Sequence, residues 1–148
     1  MIFIEDQSGG TFPTGLLEHA AQTVLNFSGV PDADLTIALV DTARIQGLNK
    51  DFLGLDAPTD VLSFPADEPD PETGRRYLGD VAISMARASE QALEGGHDLE
   101  GEMQLLVIHG VLHLLGHDHV EPVEKERMWS IQAALLERLG ISPNIVHE

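Results

Sequence analysis

Four of the seven histidines of this 148-residue chain lie within one segment, HGVLHLLGHDH at positions 109–119. His109 and His113 are four residues apart in an apolar run that predicts a helix, so both imidazoles are expected on one helix face, one turn apart. Gly116 permits a sharp turn, after which His119 returns as a third ligand. Three histidines in a chain without cysteine are typical of a zinc ion with an open fourth position, the form that zinc takes in catalysis.

A purely structural histidine cluster is the alternative to a metal site. Packing does not explain histidines at i, i+4 and i+10 with a glycine at the turn, so the spacing favours metal ligation. His117 alternates with His119 along the predicted loop and is therefore expected not to be a primary ligand. Zinc held by three histidines activates water or polarises a carbonyl or phosphoryl oxygen, so the predicted substrate is an ester, an amide or a phosphodiester.

The histidine spacing also matches the zinc-protease pattern H-E-x-x-H-x-x-G-x-x-H, with Gly116 at the glycine position. Gly110 stands where those proteases carry the glutamate that acts as general base. A peptidase without this carboxylate lacks its proton acceptor, so a zinc peptidase is the second hypothesis rather than the first.

The composition predicts one domain, residues 1–148, and excludes several kinds of site. The absence of cysteine excludes disulfides, Cys-rich zinc sites and thiol catalysis, and it is typical of a reducing compartment. The first residues lack the pattern of a signal peptide, and the longest apolar segment, 105–116, is too short to span a bilayer. We therefore expect a cytoplasmic protein without a membrane partner.

The net charge of −17, from 8 Lys and Arg against 25 Asp and Glu, is opposite in sign to that of most nucleic-acid-binding proteins. A polyanionic substrate would have to be held by the metal and by a local basic cluster. Arg75 and Arg76 form one such cluster, whereas Lys125 and Arg127, which have glutamates beside them, are expected to be solvated surface residues.

The elements that position the histidines follow from hydrophobic periodicity. The predicted strands cover residues 1–4, 35–40, 61–64 and 77–84, and the predicted helices cover residues 16–25, 42–53, 84–94, 99–115 and 122–140. The segment PADEPDPETGRR, at 65–76, is rich in proline and acid and is expected to be an exposed loop. The first strand–helix–strand unit predicts a parallel crossover. The sequence thus predicts an α+β domain with a mixed sheet of about four strands, packed with helices, and a zincin-like metal site at the end of a core helix.

Three segments in order, LNKDFLGLDAPTDVLSFP at 48–65, LGDVAIS at 78–84 and the histidine segment, give the chain a resemblance to the YbeY family of bacterial endoribonucleases. The resemblance implies a single-strand-specific, zinc-dependent endoribonuclease that helps to mature the 3′ end of small-subunit ribosomal RNA and takes part in ribosome quality control. It implies one zinc ion, held at the catalytic centre by His109, His113 and His119. The implied partners are ribosomal RNA, the small ribosomal subunit and ribosome-associated proteins.

Two positions depart from the family pattern. His117 stands where the family usually has tyrosine, and Leu53 stands where the family has an arginine that is expected to hold the scissile phosphate. A guanidinium binds two phosphate oxygens at once and leucine does not, so either another cation replaces it or cleavage is slower. The candidate replacements are Arg44, Arg75, Arg76 and Arg87.

Several polar residues near these motifs have both a structural and a functional interpretation, namely Asp60, Ser63, Asp80, Glu102 and Asp118. Glu102 lies seven residues before His109, so it either orients a ligand imidazole as a hydrogen-bond acceptor or only begins the helix.

Three functions are compatible with these residues: a zinc endoribonuclease, a zinc peptidase or other hydrolase, and a non-catalytic ribosome-assembly factor with structural zinc. If His117 completes a set of four protein ligands, the structural interpretation is favoured. An arginine or lysine beside the metal favours phosphodiester substrates, whereas an edge strand ready to pair with an extended peptide favours proteolysis.

Overall fold

The structure, a computed structural model, describes residues 1–10, 12–69, 71–118 and 120–142. Its strands are β1 (Ile2–Asp6), β2 (Asp34–Val40), β3 (Val61–Pro69) and β4 (Arg76–Ser84). Its helices are α1 (Thr14–Phe27), α2 (Thr42–Leu53), α3 (Met85–Gly95), α4 (Leu99–Leu114) and α5 (Pro122–Arg138). Every strand and helix predicted from periodicity is present, and the predicted α+β class is confirmed.

The four strands form one mixed sheet in the order β1-β2-β4-β3. β2 pairs in parallel with β1 on one side and with β4 on the other, whereas β3 runs antiparallel to β4 at an edge of the sheet. The predicted parallel pairing of the first two strands, which are joined through α1, is therefore confirmed.

The prediction of a loop over residues 65–76 is wrong for its first part. β3 continues to Pro69, which pairs with Arg76 of β4, and the register of the two strands shifts between Pro65 and Glu68. Proline lacks the N–H group that a ladder needs, so a strand tolerates it at an edge or at a bulge, and β3 provides both. The described side chains of this segment are exposed, as predicted.

α4 is the central helix and is apolar around its circumference, as expected of a helix that is enclosed by other elements. It contacts α1, α3, α5, β3 and β4. Its fully buried side chains include Met103, Val107, Ile108, Val111 and Leu112. His109 and His113 are only half-buried. The two histidines therefore stand on a helix that is held in place by the whole core, and not on a loop.

Side-chain caps fix where three of the helices begin. Asp41, Ser84 and Asp98 cap α2, α3 and α4; each accepts a hydrogen bond from the backbone N–H three residues later. In α4 the bond from Gly101 to Asp98 is 2.7 Å long. The start of α4 is thus set by local sequence.

The inward face of α5 differs in part from the predicted one. Its apolar spacing predicts that Met128, Ile131, Leu135 and Leu139 face inward. Met128 and Leu135 are buried, but Ile131 and Leu139 are only half-buried at the margin of the core. The positions that complete the buried face are Leu136 and Gln132. Across the described ranges, none of the helices combines the length and apolar character needed to cross a membrane.

Candidate metal centre

α4 brings the Nε2 atoms of His109 and His113 to 3.1 Å from each other. The predicted placement of both rings on one helix face is confirmed by this distance. Two nitrogens bound to one tetrahedral zinc ion lie about 3.3 Å apart, since each Zn–N bond is about 2.0–2.1 Å long. The pair therefore fits a single metal ion with little movement of either ring.

The second ring nitrogen of His109 is held by a residue of α5. Nδ1 of His109 lies 3.0 Å from Oε1 of Gln132, whose side chain is buried. An amide oxygen only accepts hydrogen bonds, so Nδ1 carries the proton and Nε2 keeps its lone pair for a metal. Such an acceptor fixes the tautomer and the ring orientation of a metal-binding histidine.

The sequence alone does not assign this role to Gln132. A signal was present, because a glutamine occupies the position four residues after Met128 on the apolar face of α5. A buried glutamine needs a hydrogen-bond partner, but only the packing of α5 against α4 shows that the partner is His109.

The proposed orienting role of Glu102 toward a ligand imidazole is not what the structure shows. Glu102 is fully buried, and its Oε1 lies 2.6 Å from Nε2 of His97, the residue just before the cap of α4. The seven-residue separation from His109 spans about two helical turns, or about 10 Å along the axis, which is too far for a direct contact. Glu102 joins the start of α4 to the preceding turn.

Gly110 lies against the sheet, in contact with β3 and β4. Ser63 of β3 donates a hydrogen bond of 2.9 Å to the carbonyl oxygen of Gly110. A Cβ atom at position 110 would lie 2.5 Å from Cγ1 of Val81, a side chain that is itself fully buried. The glutamate of the zinc-protease pattern is therefore absent from the sequence and would also have no room here without displacement of β4.

α4 ends in a Schellman motif. Gly116 has a φ of 96°, its N–H donates to the carbonyl oxygen of His113, and the N–H of His117 donates to that of Leu112. The predicted sharp turn at Gly116 is confirmed. His119, the predicted third ligand, lies outside the described residues. Among the described residues no group of three His, Cys, Asp or Glu side chains is placed to hold a metal ion.

His109 and His113 line a cleft of about 590 Å³. The cleft is lined by Leu53, Pro58, Thr59, Asp60, Val61, Leu62, Ser63, Pro65, Arg87, Gln91, His109, His113 and Trp129. Trp129 packs edge-on against His109, with ring centroids 5.8 Å apart, and so forms an apolar wall beside the pair. β3, the edge strand, forms another wall, and the end of α2 contributes Leu53.

Only two of the remaining polar candidates that the structure describes face the cleft. Asp60 and Ser63 line it, and Asp60 accepts a hydrogen bond of 2.8 Å from the N–H of Val61. Asp80 belongs to a separate groove and accepts a hydrogen bond from Tyr77. Burial and this carboxylate raise the pKa of Tyr77 to about 12. Asp118 is exposed after the end of α4.

Arg87 is the one arginine or lysine that lines the cleft within the described chain. Arg44 lines the separate groove with Asp80. Arg75 is paired with Asp34 at 2.9 Å, which lowers the pKa of that carboxyl group, and neither Arg75 nor Arg76 reaches the cleft lining. The basic cluster that the sequence offers for a polyanionic substrate therefore lies outside the lining of this cleft.

Comparisons with known proteins give one consistent result. A family model described as Endoribonuclease YbeY matches residues 5–140. Curated proteins of that name are similar to the chain: one from Mycobacterium bovis is 48% identical over 92% of this chain and 81% of its own length. One from Pelotomaculum thermopropionicum is 46% identical over 87% and 88%. The solution structure of a Thermotoga maritima protein superimposes with a TM-score of 0.60 at 28% identity, covering 95% of this chain and 92% of that one.

Proposed function

Because the chain belongs to the YbeY endoribonuclease family, we propose that it is a hydrolytic nuclease that uses one zinc ion to cleave single-stranded RNA. In this proposal its substrate is the 3′ end of small-subunit ribosomal RNA. Its partners are the small ribosomal subunit and ribosome-associated proteins. The observation that carries the proposal is the His109–His113 pair, whose Nε2 atoms converge on a cleft that also contains Arg87.

His109, His113 and His119 would hold the ion, in a zincin-like site at the end of α4. When bound, zinc supplies Lewis acidity and lowers the pKa of water toward neutrality, which provides hydroxide as the nucleophile. The chain itself contributes orientation, because Gln132 fixes the proton of His109 on Nδ1. It also contributes an apolar wall at Trp129, whose ring packs against that of His109.

The net charge of −17 sets how RNA must be bound. The field of the whole molecule repels a phosphate backbone, so binding depends on the metal and on the cleft arginine. We therefore expect RNA affinity to be weak without divalent cations and to recover when they are added. This behaviour differs from that of a basic RNA-binding protein, whose affinity falls as salt is added.

A zinc peptidase is the second candidate, and one observation favours it. β3 is an edge strand and lines the cleft with Val61, Leu62 and Ser63, so its free edge is in position to pair with an extended peptide. Against it stand the prolines of the same strand, which cannot donate to a ladder, and Gly110 at the place of the catalytic glutamate. The relatives named above point to RNA rather than to peptide.

The metal assignment is tested by zinc content. Wild-type protein and the variants His109→Ala, His113→Ala, His119→Ala and His117→Ala are loaded with zinc, dialysed and analysed by mass spectrometry. One zinc per chain is expected for the wild type and for His117→Ala, and most of the metal should be lost from the other three. Full zinc content in His119→Ala would contradict the loop ligand, and loss of zinc from His117→Ala would support a closed, structural site.

The reaction is tested with an unstructured, end-labelled RNA, the same RNA annealed to its complement, and an unstructured peptide. Zinc-loaded wild-type protein is expected to cleave only the single strand, and His113→Ala none of the three. Cleavage of the peptide alone would favour the peptidase. Full zinc content without any cleavage would favour the assembly factor with structural zinc.

A further inference from the structure

Two polar side chains of α3 face the cleft and have no part in holding the metal. Arg87 and Gln91 are four residues apart, so they lie on one face of α3, one turn from each other, and both line the cleft beside the histidine pair. Gln91 is 8% exposed. Its Oε1 atom is buried and accepts no hydrogen bond from any residue that the structure describes.

A buried acceptor of this kind points to a ligand. The large majority of buried side-chain oxygens in proteins have a hydrogen-bond donor, and one without a donor calls for an explanation, of which a bound molecule is one. Gln91 is a lining residue of an open cleft, and a molecule bound there can supply the donor. A ligand with an O–H or N–H group would satisfy this oxygen of Gln91.

Arg87 adds the complementary requirement. Its Nη1 donates a hydrogen bond of 2.9 Å to Glu90, which leaves the other N–H groups of the guanidinium for a ligand. The hydrogen bond with Glu90 raises the pKa of Arg87 most, and the nearby negative charge of Asp60 raises it further. The guanidinium therefore stays protonated. A guanidinium in a cleft of an otherwise acidic protein selects an anion, and it suits the paired oxygens of a phosphate.

We propose that Arg87 and Gln91 bind the backbone of the RNA substrate, with Arg87 on a phosphate and Gln91 Oε1 accepting a hydrogen bond from a ribose 2′-hydroxyl. This inference rests on the proposed RNA-cleaving function. Phosphate and bridging oxygens only accept hydrogen bonds, so the 2′-hydroxyl is the one donor in an RNA backbone between chain ends, and DNA lacks it. Arg87 also provides the cation that Leu53 does not, since both residues line the same cleft.

The 2′-hydroxyl contact is tested by binding to zinc-loaded protein. Fluorescence anisotropy gives the Kd of a labelled, unstructured RNA and of the DNA with the same sequence. A single neutral hydrogen bond corresponds to about a 3–10-fold preference for RNA in the wild type. Gln91→Leu and Gln91→Met, which keep the size but not the acceptor, are expected to reduce this preference to about one. Either variant serves if the other fails to fold, with thermal unfolding as the check.

The phosphate contact has its own variants and a matched control. Arg87→Gln is expected to weaken the binding of RNA and DNA equally, by about tenfold or more. Arg44→Gln makes the same charge change in the separate groove and is expected to leave both Kd values unchanged. Zinc content is measured for every variant and should stay at one ion per chain.

Each result separates this inference from the function on which it rests. An unchanged RNA preference in Gln91→Leu and Gln91→Met would overturn the 2′-hydroxyl contact. Equal Kd values for Arg87→Gln and Arg44→Gln would overturn the phosphate contact. In both cases cleavage of RNA by the wild type would leave the proposed function standing. If the zinc-loaded wild type neither binds nor cleaves RNA, the proposed function and this inference fall together.

Discussion

Replacing Gln132 by leucine is expected to weaken zinc binding by about 10–100-fold, the usual effect of losing the acceptor behind a metal-binding histidine. The structure gives the reason. Oε1 of Gln132 accepts the Nδ1–H of His109 at 3.0 Å, and the glutamine is 2% exposed, so water has little access to replace it. When Nε2 binds a metal, the ring proton must sit on Nδ1, where leucine offers no acceptor.

The size of the effect follows from this unpaired donor. Leaving a buried donor without a partner costs about 1–3 kcal/mol. In the metal-free variant the ring escapes this cost by moving its proton to Nε2, so the penalty falls on the zinc-bound state alone. A 10–100-fold rise in the Kd for zinc is about 1.4–2.8 kcal/mol, which agrees with that range.

The assay is competition with a chromophoric chelator at neutral pH, followed also through the fluorescence of the single tryptophan, Trp129, which packs on His109. Gln104→Leu is the matched control, because Gln104 is also buried but donates to the carbonyl oxygen of Glu100. Gln132→Glu keeps an acceptor and should hold zinc at least as tightly as the wild type. Equal zinc Kd values for folded Gln132→Leu and the wild type would refute the orienting role.

Three further perturbations test other parts of the molecule. Leu53→Arg adds a guanidinium to the cleft and is expected to raise cleavage of unstructured RNA by about tenfold at equal zinc content; equal rates would mean that the existing cation suffices. Tyr77, the only tyrosine, should titrate with a pKa of about 12 when its absorbance is followed against pH. Because this pKa lies above the ordinary value of 10.0, the contribution of the neutral phenol to folding stability is complete below pH 10.0 and is lost toward pH 12. Asp80→Asn removes a charge that raises this pKa and should lower it, and an unchanged titration would contradict the contact. Gly110→Ala should lower the free energy of unfolding by about 1–3 kcal/mol, because the added methyl group overpacks against Val81. An unchanged denaturant midpoint would show that β4 moves to make room for this group.

Hydrophobic periodicity and residue type were enough to predict the helices, the histidine pair and the turn that follows it. Apolar spacing located all five helices, and the i, i+4 spacing placed His109 and His113 on one face, because both depend on residues within one or two helical turns. Gly116 predicted the turn for a similar reason, since its positive φ is a property of a single residue. The loop prediction for residues 65–76 failed because prolines exclude a central strand but not an edge strand, and edge position is a property of the whole sheet.

The surroundings of the metal centre depended on the tertiary structure. The sequence alone fixed which residues carry imidazoles and how a helix spaces them, but Gln132 and Arg87 are brought to them by packing between α4, α5 and α3. The lack of room at Gly110 arises in the same way, from the distance between α4 and β4. Such contacts join residues that are far apart in the chain, and their geometry is set by the sum of many weak packing interactions, which no short pattern of residues encodes.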